Sequence, residues 1–465
     1  MSGNNTAVSR LTRDLRQLIA GLAPGDQLPT SRELMEQHHV GPGTVSRAIG
    51  ILALEGVLTT RPGSGTFVSA TKATPNRPID TGWQAMALAD RVVDTRSLSD
   101  QLGPPTDGTI MLDGGYLHPA LQPTSLLTGA LVRAARRPGS WDRAPINGLA
   151  ALRSVFATLT GASADDVLIT AGGQDALSIA FRAIAVPGSA VLVESPTYHG
   201  ALAAIRSAGL RPVPVPLDDD GLTPEFLEEA FALSGARLLY CQPTYHNPTG
   251  AVLSSERRQR VLEIARTAGA FVIEDDFARF LGHTPTVPPP LIHDDRHGTV
   301  VYITSLTKPA APSFRIAAMV ARGPVMERLR ATRRVSDFFV SRPLQEAALE
   351  LMSSAGWERH LKTLSAQLRN RCTALVTALR TELPTWTVRH VPGGGLHLWV
   401  QLPAGLSDID ITAVARRQRV GVSAGTRYFP AEPSAAYLRI GFGAATDEAD
   451  LAESACRLAE VVTKS

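Results

Sequence analysis

Apolar residues in the first seventy positions recur at helical spacing and then give way to alternation. Leu11, Leu15, Leu18, Ile19 and Leu22 predict an amphipathic helix that Pro24 and Gly25 stop. Thr30, with Glu33 three residues on, is a capping box for a second short helix through about His38. Pro42, inside Gly41-Pro42-Gly43, stands where a third helix begins. That helix is expected from about Thr44 to Glu55, with Val45, Ala48, Ile49 and Leu52 on one face and Gly56 as its stop. Val57–Arg61, a Pro62-Gly63-Ser64-Gly65 turn and Thr66–Val68 then read as a β-hairpin.

Residues 71–108 read as a linker with one helical piece near Trp83–Val93. From 109 onward, short apolar runs alternate with longer helical patterns. Val167–Thr170, Ala190–Glu194, Pro212–Pro216, Leu238–Cys241, Phe271–Ile273 and Val300–Ile303 are expected strands, which implies βαβ units around a mostly parallel sheet. Beyond about 325 the pattern becomes a long helix (roughly Pro324–Met352, broken near Arg342-Pro343), another over Gly356–Glu382, and a smaller α+β region. The expected organisation is a small unit over 1–70, a linker over 71–108 and an α/β unit over 109–465. Its large lobe spans about 150–325 and its small lobe 109–149 with 326–465.

Composition narrows the chemistry. With 465 residues and 44% hydrophobic content the chain can bury a large core, which excludes wholesale disorder. Its three cysteines lie far apart, with no CxxC and no His/Cys cluster. No disulfide framework or metal site is expected, and a reducing cytoplasm is. No apolar run reaches the ~18 residues of a membrane span, and the start lacks a signal-type apolar stretch. Only four of the 46 basic residues are lysine: Lys72, Lys308, Lys362 and Lys464. Chemistry that needs an amine therefore has few candidates.

Three helices and a hairpin make a winged helix-turn-helix, whose third helix enters the DNA major groove. The run Gly25-Asp26-Gln27-Leu28-Pro29-Thr30-Ser31-Arg32-Glu33-Leu34 and the wing Arg61-Pro62-Gly63-Ser64-Gly65-Thr66-Phe67-Val68 resemble the DNA-binding domain of GntR-type regulators. The resemblance implies double-stranded DNA as partner, with contacts from Arg32, Thr44, Arg47, Arg61 and Gly63. Any one of these arginines taken singly fits a solvated surface charge equally well. The unit is nearly neutral, and Gly41-Pro42-Gly43 stands where the family usually offers an Arg, so either weaker DNA binding or binding that relies on pairing two copies is expected.

Lys308 ends the run Val301-Tyr302-Ile303-Thr304-Ser305-Leu306-Thr307-Lys308, at a strand-to-loop boundary rich in small and hydroxyl side chains. A lysine desolvated among cationic groups can form a Schiff base with an aldehyde. Upstream, Thr170-Ala171-Gly172-Gly173-Gln174 turns from strand to helix and can present backbone N–H groups to a phosphate. Pro196-Thr197-Tyr198 offers an aromatic ring after a strand, and Asn247-Pro248-Thr249-Gly250 an amide held at a strand end. Asp275, in Glu274-Asp275-Asp276, offers a carboxylate able to keep a pyridine nitrogen protonated.

In this order, over 170–315, these elements resemble the fold-type I pyridoxal-phosphate enzymes of the aspartate aminotransferase superfamily. The resemblance implies pyridoxal 5'-phosphate as cofactor, joined to Lys308, with Asp275 on the ring nitrogen, Asn247 on the ring oxygen and Tyr198 stacked on the ring. Gly172, Gly173, Gln174, Ser305, Thr307 and Arg315 surround the phosphate, and Arg439, in Tyr437-Leu438-Arg439-Ile440-Gly441, holds a carboxylate. Two departures stand out. Phe277 replaces the usual Tyr beside the ring oxygen, which weakens catalytic tuning, and Arg143-Ala144-Pro145-Ile146-Asn147-Gly148 replaces a Tyr-containing run.

Joined, the halves resemble MocR-type transcriptional regulators over essentially the whole chain. That implies a cytoplasmic homodimer, head-to-tail, acting on an operator near its own or a neighbouring gene. Its aminotransferase-like domain would sense a small amine or amino acid, or pyridoxal phosphate itself, through Lys308. A working aminotransferase with a vestigial DNA-binding domain is the alternative, and Phe277 and the well-formed wing speak against it.

Overall fold

The computed structural model describes residues 3–69, 81–88, 108–284 and 286–463. It divides into two compact units, 1–92 and 93–465. The first unit holds α1 (Gly3–Ile19), α2 (Ser31–His38), α3 (Pro42–Leu54), β1 (Leu58–Arg61) and β2 (Gly65–Val68). Leu11, Leu15 and Ile19, one face of α1, pack with Val45, Ala48, Ile49 and Leu52 of α3, Leu34 of α2, and Leu58 and Val68 of the hairpin. Leu18, expected on that face, is exposed. The capping box forms as read: Thr30 Oγ1 accepts from the Glu33 backbone N–H, and Glu33 Oε2 accepts from the Thr30 N–H at 2.7 Å. The Thr30 backbone N–H and then the Thr30 hydroxyl, both donating to Glu33 Oε2, hold the Glu33 carboxyl below its ordinary range.

The hairpin pairs Leu58 with Val68 through Arg61 with Gly65. Segment 25–28 joins it along β2: Leu28 N–H donates to Thr66 O at 2.8 Å, and Val68 N–H to Asp26 O at 2.8 Å. Gly65 has φ +115°, and a Cβ there would sit 2.4 Å from Gln27 Nε2, so this wing position requires glycine. The helical piece expected near Trp83–Val93 is a helix over Gly82–Ala87. Most of the expected linker, and of that piece beyond Leu88, lies outside the described residues.

The second unit carries β3 (Ile110–Met111), β4 (Val167–Thr170), β5 (Ala190–Ser195), β6 (Arg211–Asp218), β7 (Gly221–Leu222), β8 (Leu238–Cys241), β9 (Phe271–Asp275), β10 (Val300–Ser305) and β11 (Ala317–Val320). There follow β12 (Thr387–Val388), β13 (His397–Gln401), β14 (Val420–Gly421), β15 (Ser423–Ala424) and β16 (Tyr437–Gly441). Eight strands form one sheet in the order β4-β11-β10-β9-β8-β5-β6-β7. From β10 to β6 the strands are parallel, and β11 runs antiparallel to both of its neighbours.

All six expected strands form; β11 was not expected. Its sequence, Ala-Ala-Met-Val, carries little intrinsic strand preference, and its place between β4 and β10 makes it a strand. Strand periodicity explains the two cores. Leu239, Val272, Val300 and Tyr302 face one helical layer, while Leu238, Tyr240, Ile273, Val301 and Ile303 face the other.

A smaller antiparallel sheet, β12-β13-β16-β15, packs with the long helix Ala355–Glu382 and the helix Glu448–Thr463. One boundary is corrected. Ala130 and Ala134, and likewise Val340, Ala347, Ala348, Leu351 and Trp357, join the large-sheet core rather than the small lobe assigned to 109–149 and 326–465. Their helices present small apolar faces, and chain order does not decide which core receives such a face. The long helix expected over Pro324–Met352 is two, Pro324–Ser336 and Arg342–Met352, with Pro343 in the first turn of the second.

Candidate functional site

The carboxyl ends of the parallel strands open on one cavity of about 110 Å³. Gly173, Gln174, Tyr198, Asn247, Asp275, Ser305, Thr307, Lys308 and Arg315 line it from the large sheet, and Arg439 from β16. Residues separated by up to 266 positions thus line one cavity. Gly115, Tyr116, His199, Gln242, Phe277 and His397 also line it, and sequence reasoning assigned no binding role to any of these six.

At one end the chain turns at Gly172, φ +96°, into the helix Gly173–Ile184. A Cβ at Gly172 would sit 2.6 Å from the Arg315 guanidinium, so only glycine lets arginine lie over this turn. Arg315, itself left-handed at φ 49°, donates to Ala171 O at 2.8 Å. Ser305 Oγ donates to Thr307 Oγ1 at 2.8 Å and accepts from the Thr307 N–H at 3.0 Å. A helix N-terminus, a guanidinium and two hydroxyls therefore converge, a donor set suited to a phosphate dianion.

Asp275 ends β9, and its Oδ2 accepts from Tyr240 OH at 2.8 Å and Gln242 Nε2 at 2.9 Å. Burial raises its pKa to about 6, and these two hydrogen bonds pull the other way. Gln242 also accepts from the Asn247 N–H at 3.2 Å, while its own N–H donates to buried Glu194 at 2.7 Å. One residue therefore ties the three together, its side-chain amide to Asp275 and Asn247 and its backbone N–H to Glu194. The signal for it was local: Tyr240 and Gln242 share a face at the end of β8, just before Pro243.

Lys308 Nζ donates to Gly115 O at 2.7 Å and lies 4.0 Å from the centre of the Tyr116 ring. Burial first, then the Arg439 charge, lowers its pKa to about 7, with Asp275 opposing and Arg315 adding to the fall. Near neutrality a large share of this amine is therefore free to act as a nucleophile. Tyr198 donates to Gln174 Oε1 at 3.2 Å, and its ring occupies the space that a Cβ on Gly200 would need. Arg439, 2% exposed, donates to Asn247 Oδ1 at 3.2 Å and to Asp113 O. Among the described residues it forms no ion pair with a carboxylate, and its Nε has no partner. A buried guanidinium left in that state is suited to an anion brought by a ligand.

In the first unit Arg32 and Arg47 are exposed, and Gly63, φ +76°, marks the exposed wing tip. Arg32 pairs with Glu36 at 3.3 Å in a largely exposed i,i+4 contact that a stronger partner can displace. The Arg61 guanidinium lies 5.1 Å from the Phe67 ring centre. Thr44 departs from expectation: it is 8% exposed and turned into the helical core, because it shares the inner face of α3 with Val45 and Ala48.

Fold and site define a pyridoxal-phosphate-type aminotransferase domain following a winged helix-turn-helix. Comparison with known proteins agrees. Residues 131–458 match the model of aminotransferase class I and II, and residues 7–68 match that of bacterial regulatory proteins of the gntR family. The chain belongs to the class I and II aminotransferase family and joins that domain to a GntR-type DNA-binding domain, the MocR-like architecture. It is 26% identical over 434 residues to the HTH-type transcriptional regulator YdfD of Bacillus subtilis, covering 91% of this chain and 89% of that one. It is 30% identical over 356 residues to the 2-aminoadipate transaminase of Thermus thermophilus, covering 76% and 89%. Among solved structures, the α-aminoadipate aminotransferase LysN of Thermus thermophilus, complexed with N-(5'-phosphopyridoxyl)-L-leucine, has a TM-score of 0.76 at 28% identity, covering 82% and 98%. Pyridoxal phosphate is the cofactor of this fold, and the chemistry of the lining fits it: a guanidinium over the helix N-terminus at Gly172, a buried carboxylate, an amide, an aromatic ring and a lysine with a lowered pKa.

Proposed function

We propose that the aminotransferase-like domain holds pyridoxal phosphate at Lys308 and senses an amine or amino-acid effector there, or the cofactor itself, and that occupancy sets the affinity of the GntR-type domain for DNA. The observation that carries this is the pairing of Lys308 with Arg439 in one buried cavity, in a chain that also carries a DNA reader. The cofactor supplies an aldehyde open to amine exchange and a ring that draws electrons. Gly172, Gly173, Gln174, Ser305, Thr307 and Arg315 hold its phosphate. Asp275 keeps the ring nitrogen protonated, Asn247 bonds the ring oxygen and Tyr198 covers the ring. Arg439 would take the anionic group of the effector, and Lys308, freed of its proton, would hold the cofactor's aldehyde. On the DNA, Arg32, Arg47 and Arg61 meet phosphates, with Gly63 at the wing. Thr44 packs inside and orients α3.

The working unit in this reading is a head-to-tail homodimer in the cytoplasm, bound near its own or a neighbouring gene. Among the described residues no helix is long and apolar enough to cross a membrane. Exposed Val335 and Phe338, with Ile146 drawn to Phe338 by hydrogen bonds from Arg333 to both carbonyls, give the large lobe an apolar surface suited to a second copy.

A second reading, a working aminotransferase, is favoured by the completeness of the set Lys308, Asp275, Asn247 and Arg439. The test separates the two. Sensing predicts an absorbance band near the visible edge that Lys308→Ala removes, salt-sensitive binding to DNA upstream of the gene, and an amine that changes both together, since coupling is reciprocal. Sustained turnover of an amino acid with a keto acid, without any effect on DNA binding, would instead establish the enzyme.

A further inference from the structure

Two imidazoles in the cavity wall lie outside the set that would hold the cofactor in the reading above. His199 follows Tyr198 and is 2% exposed; His397 opens β13 and is 6% exposed. Both line the cavity. The His199 ring stands edge-on to Tyr198 and to Tyr428, with centroids 5.1 Å from each, so packing fixes its plane. His397 is placed by its neighbours. The point where a Cβ on Gly115 would sit is 3.4 Å from Lys308 Nζ, 3.6 Å from His397 Cε1 and 3.9 Å from Arg439 Nη1. Amine, imidazole and guanidinium therefore surround one small volume.

Nδ1 of each imidazole is buried and makes no well-formed hydrogen bond among the described residues, the Leu396 backbone acting only weakly on His397. Buried polar atoms are nearly always satisfied, so an unpaired pair beside a ligand-binding lysine points to the ligand. Burial and the positive charges of Arg439 and Lys308 keep both rings neutral, and a neutral imidazole offers one donor and one acceptor. The cavity lining has two guanidinium groups, Arg315 over the helix N-terminus at Gly172 and Arg439. Once Arg439 has met one anion, a second acid group has no guanidinium left, and an aliphatic side chain leaves the imidazoles unpaired.

We propose that His199 and His397 read a neutral hydrogen-bonding group, so that the effector is an amino acid with a hydroxyl or amide side chain rather than an aliphatic or doubly acidic one. The inference rests on the sensing reading above. Its test uses the full-length protein loaded with pyridoxal phosphate and follows the cofactor's absorbance. The probes are matched pairs differing in one polar group, L-serine against L-2-aminobutyrate and L-homoserine against L-norvaline, with L-glutamine and L-aspartate alongside. Half-saturation about tenfold lower for the hydroxyl member of a pair is expected, with L-glutamine bound more tightly than L-aspartate. His199→Phe and His397→Phe are expected to reduce the preference to about twofold while leaving the band in place, and His397→Asn to retain part of it. Because a bulky ring in a tight wall can disturb folding, His397→Asn also serves as the measurement where a Phe variant shows no band. Equal response to both members of each pair, or a preference unchanged in the variants, overturns this inference alone. A normal band that no amine shifts overturns the sensing reading, and this inference with it.

Discussion

The Lys308 amine lies 4.0 Å from the centre of the Tyr116 ring, with its proton directed to the carbonyl of the residue before that tyrosine. The segment Gly115-Tyr116 thus covers the lysine. An amine that approaches Lys308 from this side meets the Tyr116 ring, which is 40% exposed. Tyr116→Ala, which removes the ring, is expected to speed the reaction with effector, measured as the rate at which the absorbance band responds to added amine.

Lys308 also sets a pH dependence. Its pKa in the fold is about 7, against an ordinary value of 10.5. Between these values the unfolded chain binds a proton that the cofactor-free folded chain does not. Stability of that form therefore rises with pH across about 7 to 10.5 and lacks this contribution below 7. Lys308→Met is expected to flatten the rise, read as the denaturation midpoint of cofactor-free protein at several pH values.

Gly172→Ala places a methyl group 2.6 Å from the Arg315 guanidinium on a backbone with φ +96°. Strain at such a position is of order 1–3 kcal/mol, and the displaced arginine adds to it. Affinity for pyridoxal phosphate is expected to fall by about a hundredfold, measured by equilibrium titration, while the far-ultraviolet circular dichroism stays that of the parent.

Gln242→Leu removes one of the two donors that stabilise the charged form of Asp275. The carboxyl pKa is expected to rise further above about 6, by roughly one unit for a lost hydrogen bond of about 1–1.5 kcal/mol. The measurement is the pH midpoint of the Asp275 carboxyl in cofactor-free protein, read by infrared absorption, which moves upward. Asp275→Asn, which has no charge to titrate, loses that transition.

On the DNA side, Arg47→Ala and Arg61→Ala are each expected to lower the slope of log affinity against log salt by about one, because each removes one phosphate contact. Thr44→Val, buried in the helical core, is expected to leave the slope unchanged. A slope changed by Thr44→Val but not by the arginine variants would reverse the assignment.

Much of this protein could be read before any coordinates. Helical spacing, the capping box at Thr30 and Glu33, the glycine-marked wing and the run of apolar strands are local patterns, and local backbone preference and burial suffice to produce them. The order of Gly172-Gly173-Gln174, Tyr198, Asn247, Asp275 and Lys308 was legible for a related reason. Each stands at or just beyond the carboxyl end of a strand, and a parallel sheet brings those ends together. Long-range packing decided the rest. Alanine-rich β11 is a strand because two strands flank it, and the helix bearing Ala130 joins the large core because its small face fits there. Thr44 points inward because α3 turns that face to α1. Gly115 and His397, 282 positions apart, meet at Lys308 only in three dimensions. Sequence alone determined most of the elements and the residue types they carry. Tertiary structure decided which side chains share the cavity and which are left unpaired within it, because contacts between distant segments depend on packing that no local pattern encodes.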